Sequence, residues 1–252
     1  MSVVSPRVRS LNDIDMNASG EFVLYWMTAT RRYHYNAALD RAIEISLDLG
    51  KPLLVVECIS TRHEWSSERV LTFVVQGMVD NKSIFEQKGI SYVPWIENHI
   101  VSGDGMLSKL STKACAVVID DFPTYLPRWV MERASRTCKV SVEAVDSNGV
   151  LPMGYADGAH KTAYSFRKHM QKSLHRALST FPEEDSMENV ERDISFDMSR
   201  FSEIVDELDL EFPPLEWIWR VAEGGNVGRK AMEPLDIDHE VFPVDSVRGG
   251  YF

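Results

Sequence analysis

Five short apolar runs, at residues 22–27, 53–58, 90–95, 115–119 and 139–145, punctuate the first 150 residues. Each has the length of a strand buried on both faces. Helical periodicity fills the intervals. Residues 36–49 place Ala38, Ala42, Ile45 and Leu49 on one face, with Gly50 as a C-terminal cap and Pro52 blocking continuation. Residues 66–88 begin with Ser66 as a cap, carry Glu68 in the first turn, and end at Gly89, with Val70, Phe73, Val74, Met78 and Phe85 apolar. Shorter helices are predicted at 105–110 and 125–135.

Strands separated by helices predict an α/β fold, a doubly wound five-stranded parallel sheet of the Rossmann-like kind. After residue 150 the pattern changes. Residues 159–178 form an amphipathic helix with Phe166, Met170, Leu174 and Leu178 at four-residue spacing. Lys161, Lys168, Lys172 and Arg176 line another face, read as a solvated basic face in preference to a phosphate track. Residues 181–212 are strongly acidic and read as a linker or loosely packed helix, 213–220 carry two tryptophans, and 236–252 read as extended. The expected organisation is therefore an α/β domain at 1–155 and a helical or irregular linker at 156–252.

Lysine and arginine total 27 against 38 acids, a formal net charge of −11, which opposes tight non-specific binding of a polyanion. Cys58, Cys115 and Cys138 lie in or near apolar runs with no C-x-x-C spacing, so they read as buried thiols of a reducing compartment. No apolar run approaches membrane-spanning length and the N-terminus lacks a signal-peptide core, so the expected location is cytoplasmic, or nuclear in a eukaryote.

Ligands of such sheets sit at the carboxyl ends of the strands, which singles out 27–32 and 120–125. The loop after the first strand, 28–35, has no glycine, so the dinucleotide fingerprint and the P-loop are both excluded. The glycine-rich 223–228 follows no strand and reads as a loop; no G-x-S-x-G elbow is present. His160, His169 and His175 are spaced unsuitably for one metal, and no metal site or catalytic set is expected. Asp120 and Asp121 point to opposite faces of an extended strand and are not a shared-proton pair. Strand-end geometry gives Met27, Thr28, Arg31, Glu57, Asp120 and Phe122 as candidate cofactor-binding residues, while Trp26 is expected in the core.

These residues resemble a known family. The segment 7–12 (RVRSLN), followed by 22–43 (FVLYWMTATRRYHYNAALDRAI), is similar to the opening of class II DNA photolyases of the photolyase/cryptochrome superfamily. The matching positions are Arg7, Arg9, Asn12, the run 23–27, Arg32, Asn36, Ala38 and Leu39. The resemblance continues through Arg69, Phe73 and Gly77, through Arg128 and Trp129, and through Pro152, Lys161, Tyr164 and Arg167.

The resemblance implies the N-terminal antenna and scaffold domain of an enzyme that repairs cyclobutane pyrimidine dimers with light. An antenna chromophore, whether deazaflavin, folate or flavin, would lie at the strand ends. Catalysis in the family belongs to a helical FAD-binding domain, expected to be missing from this chain and to follow a segment like 237–250. The implied partners are that domain, in cis or in trans, and damaged DNA through it alone. The alternatives are a stand-alone nucleotide- or flavin-binding sensor module and a non-catalytic partner-binding fragment.

Overall fold

The computed structural model describes residues 6–99, 101–156, 158–244 and 246–250, with only the backbone for 125–127. The elements run β1 (Val8–Ser10), β2 (Phe22–Met27), α1 (Ala37–Leu49), β3 (Leu53–Ser60), α2 (Glu68–Gln87), β4 (Ser91–Glu97), α3 (Met106–Ser111), β5 (Ala114–Asp120), α4 (Tyr125–Thr137) and β6 (Val142–Val145). Four helices follow a short 3-10 turn: α5 (Ala163–Leu178), α6 (Met198–Glu207), α7 (Leu215–Glu223) and α8 (Gly225–Met232). The strands make one six-stranded sheet in the order β1-β6-β5-β2-β3-β4.

The expected α/β sheet is present with one strand more than its apolar runs announce. The sixth strand, β1, pairs antiparallel with β6, Val8 opposite Val145. It is three residues long and mostly exposed, so it carries no apolar run to read. Polar side chains hold it in register. Asn12 donates to the Val140 carbonyl at 3.0 Å and accepts from the Val142 amide at 3.0 Å.

The chain divides into two compact units, Met1–Leu53 with Leu107–Ile194, and Leu54–Met106 with Ser195–Phe252. In the first unit, every residue of β2 and of β5 is buried, and Trp26 sits in register with Ile119 as core. Asn36 caps α1 by accepting from the Ala38 and Leu39 amides. Gly50 closes that helix at φ 65°, a left-handed conformation that glycine adopts without strain.

Arg7 is the first unit's buried cation. Its guanidinium donates to the carbonyls of Asp146 (2.9 Å), Val150 (3.0 Å), Gly149 (3.2 Å) and Thr180 (3.3 Å). The Asp146 amide returns a bond to the Arg7 carbonyl at 2.9 Å. One side chain thus pins the loop after β6 and the residues just past α5.

In the second unit, Ser67 rather than Ser66 caps α2, because its hydroxyl reaches the Val70 amide. Leu71, Val75 and Met78 of α2 share a core cluster with Ile96, Ile218, Val221, Met232 and Leu235. The glycine-rich 223–228, expected as a loop, instead makes the corner between α7 and α8. Gly224 and Gly225 both have positive φ there, and α8 opens at Gly225. Trp217 packs against the cluster and donates to the Ala231 carbonyl at 2.9 Å.

Replacing Arg7 with Met should cost about 3 kcal/mol, because charge-assisted bonds are lost and buried carbonyls are left unpaired. Thermal unfolding should then fall by about 6–12 °C, with Arg7→Lys intermediate. A melting point for Arg7→Met within about 2 °C of the parent would contradict the role assigned to this clamp.

Candidate functional site at the strand ends

Strand order reverses between β2 and β5, the kind of switch point beside which such sheets bind ligands. There, Asp120, the last residue of β5, is 1% exposed. Its Oδ2 accepts three consecutive backbone amides of the loop after β2: Thr28 at 2.8 Å, Ala29 at 2.7 Å and Thr30 at 3.1 Å. Its Oδ1 accepts the Tyr25 hydroxyl at 2.8 Å. Successive amides converging on one oxygen form a nest that suits an anion. Here a protein carboxylate fills it.

The network extends into the cap of α1. Asn36 donates to the Tyr25 hydroxyl at 3.1 Å and to the Arg32 carbonyl at 2.8 Å, while its carbonyl oxygen caps the helix. Arg32 folds back on its own loop, donating to the His34 and Tyr35 carbonyls. Tyr25 and Asn36 were not among the expected site residues. A tyrosine inside an otherwise apolar strand is the signal that was available, because a buried hydroxyl needs a partner.

Of the expected residues, Thr28 and Asp120 are brought together directly. The Thr28 hydroxyl is buried and has no hydrogen-bond partner among the described residues. Arg31 and Phe122 are half-buried on the segments that follow β2 and β5. Met27 is wholly buried. Glu57 belongs to the second unit, where it accepts Asn81 Nδ2 at 2.8 Å and the Tyr92 hydroxyl at 2.5 Å. Asp121 faces away from the nest and pairs with Arg9 at 2.9 Å.

Residues 183–187 are bound to the same β2 loop. The Tyr35 amide donates to the Glu183 carbonyl at 3.0 Å, and the Met187 amide to the Tyr33 hydroxyl at 3.2 Å. Tyr33 itself is fully buried and bonded to Asp185, and burial together with that carboxylate holds its hydroxyl well above the usual range. Asp40 accepts the Glu183 amide at 3.2 Å. Burial pushes its carboxyl up to about 6, against the partial relief that this amide gives.

The second unit holds a shallow, charged cavity of about 280 Å³ lined by Glu68, Arg229, Lys230, Glu233 and His239. Glu68 there meets His239 Nδ1 at 2.9 Å and Arg229 Nε at 3.2 Å. The adjoining backbone is also tied down, the Glu68 amide donating to the Asp238 carbonyl at 3.1 Å. This cluster fastens the segment after α8 to the start of α2. Among the described residues no group of three or more His, Cys, Asp or Glu is arranged for a metal, although the His160 and His169 rings approach to 4.9 Å. No described helix is long and apolar enough to cross a membrane.

The family model described as DNA photolyase matches residues 23–187, which include β2, β5, the Asp120 nest and α5. The chain belongs to the DNA photolyase family. The deoxyribodipyrimidine photo-lyase of Methanothermobacter thermautotrophicus is 30% identical over 173 residues, covering 68% of this chain and 38% of that relative's own length. The photolyase of Sulfolobus tokodaii, solved with two FAD molecules, aligns over 83% of this chain and 48% of its own at 13% identity and a TM-score of 0.47. A class III photolyase from Agrobacterium tumefaciens aligns over 84% of this chain and 43% of its own at 16% identity and a TM-score of 0.46. In this photolyase-family chain, the motif residues Arg7, Asn12, Arg32 and Asn36 all bond to backbone, Arg7, Arg32 and Asn36 at the loops after β6 and β2 and Asn12 at the start of β6.

Asp40 gives these loops a pH dependence of known sign. Its folded pKa, about 6, lies above the ordinary 3.8, so the folded state binds the proton more tightly. The penalty is absent below the lower value, grows as pH rises between the two, and is complete above the higher one. At neutral pH it amounts to about 3 kcal/mol. Asp40→Asn should therefore stabilise the chain in denaturant melts at pH 7.5, with the gain vanishing below about pH 4. A gain independent of pH would contradict this assignment.

Proposed function

We propose that this chain is the antenna and scaffold part of a class II-type cyclobutane pyrimidine dimer photolyase, working with a helical FAD-binding domain supplied in cis or in trans. The observation that carries the reading is the DNA photolyase match across 23–187, the stretch that builds the strand-end crevice. When FAD is bound in its own domain it supplies the electron chemistry of dimer splitting. The residues of this chain hold a chromophore and present a docking face; damaged DNA is met through the partner domain.

The crevice suits a planar, neutral chromophore head better than a phosphate. The unpartnered Thr28 hydroxyl offers a hydrogen bond, the half-buried Phe122 ring a stacking surface, and Arg31 a charge for a polar tail. A phosphate has no place in the amide nest, because Asp120 already uses those donors. Deazaflavin, folate and flavin heads all satisfy these conditions, and Thr28, Arg31 and Phe122 are the proposed contacts.

The test is reconstitution. The pure chain is illuminated with thymine-dimer DNA alone, and then together with a separately expressed FAD-binding domain of a class II photolyase. No splitting is expected from the chain alone. Splitting above that of the flavin domain alone is expected from the mixture, with an action spectrum extended by an added deazaflavin or folate. Splitting by the isolated chain, or no gain on mixing under any chromophore, would overturn the proposal.

A further inference from the structure

Helix α5 departs from the charge pattern of the rest of the molecule. Residues 158–182 contain no Asp or Glu, although the whole chain carries 38 acids and a net charge of −11. They contain Lys161, Arg167, Lys168, Lys172 and Arg176, all exposed. Elsewhere some cations are paired, as in Arg9–Asp121, Arg41–Glu143, Arg200–Glu207 and Arg248–Asp80, and others such as Arg133, Arg136 and Lys230 are not, among the described residues; what sets this segment apart is five cations with no acid among them. Among the described residues none of the five on this segment has an ion pair, although the acid-rich residues 183–193 follow directly.

Helical geometry arranges them. Tyr164, Lys168, Lys172 and Arg176 succeed one another at four-residue steps, so they share one face, with a rise of about 6 Å per step and about 18 Å in all. Ala177 is buried and marks the inner side of α5, which Met170 also faces. The Tyr164 ring, 64% exposed, lies under the Lys168 ammonium at 4.7 Å, and Arg176 stacks over Tyr155 at 5.5 Å from the ring centre. A protein partner would be expected to bury apolar side chains among the charges, and Phe166 and Leu174 lie away from this line.

We propose that the outer face of α5 is a docking surface for the phosphate backbone of nucleic acid, with Lys168, Lys172 and Arg176 each meeting one phosphate. The inference goes beyond the photolyase reading, in which the lesion is met through the partner domain, by giving this chain a backbone contact of its own, and it rests on that reading only for the choice of DNA as the polyanion. Binding is local, weak and sensitive to salt, because the acidic remainder of the chain repels a polyanion wherever the two approach within a Debye length, about 10 Å at 0.1 M salt, and is screened beyond it.

The test uses the whole chain in the dark, without flavin, and an undamaged fluorescent duplex followed by anisotropy across low to moderate salt. Three phosphate contacts predict a log–log salt slope of about −2.7. The triple change K168E/K172E/R176E should abolish binding, and K168Q/K172Q/R176Q should remove most of the slope, both with unchanged circular dichroism because Glu and Gln are good helix formers. Three outcomes would overturn the proposal: no binding by the native chain at low salt, an equal loss on reversing Lys51, Lys88 and Lys139, or tighter binding of polyglutamate than of the duplex. Undamaged DNA in the dark separates this result from dimer splitting, so either proposal can fail without the other.

Discussion

A single carboxylate at the end of β5 organises the strand ends of the first unit. Three amides of the β2 loop and the Tyr25 hydroxyl all donate to Asp120, so the loop cannot leave its position without exposing a buried charge. The same bonds place Asn36, which caps α1, and so connect strand, loop and helix in one polar network. In glycine-rich nucleotide-binding folds a comparable nest of amides awaits an external phosphate. In this chain the anion is part of the protein, and the loop needs no glycine because its backbone closes on a side chain of the neighbouring strand.

That substitution decides what kind of ligand suits the crevice. With the amides satisfied internally, a phosphate finds no free donors in the nest, and the proposed chromophore contacts Thr28, Arg31 and Phe122 lie on the segments that follow β2 and β5. Residues 183–187 close the loop from another side through Tyr33 and Asp40, so the acid-rich stretch after α5 is bonded structure at that point. The Asp185 carboxylate serves these bonds, and among the described residues no acid of the stretch pairs with a cation of α5. Separation of charge along the chain is thus built into consecutive segments, basic at 158–182 and acidic at 183–193.

Much of this was legible in the chain. Each run of apolar residues became a parallel strand because burial on both faces leaves no polar alternation to misread, and the strand-end rule pointed to Thr28 and Asp120 together. What the sequence hid were polar devices. Strand β1 is held by Asn12 and its edge pairing, with no apolar signature. Arg7 entered only as a position of the family motif, and the long-range carbonyls that surround it have no signature in the chain. The corner at Gly224 and Gly225 read as a loop because a one-residue break between helices, flanked by a second glycine, has the same composition as a turn. Glu57 satisfied the strand-end rule in sequence, but Asn81 and Tyr92 engage it within the second unit.

The central claim is that the strand-end nest is closed by an internal anion. The most direct measurement is an amide NMR titration of the chain with inorganic phosphate, beside the same titration of Asp120→Ala. The account predicts that the Thr28, Ala29 and Thr30 amides of the native chain stay still, and that in the variant they move together and saturate. Saturable phosphate shifts at those three amides in the native chain would contradict it.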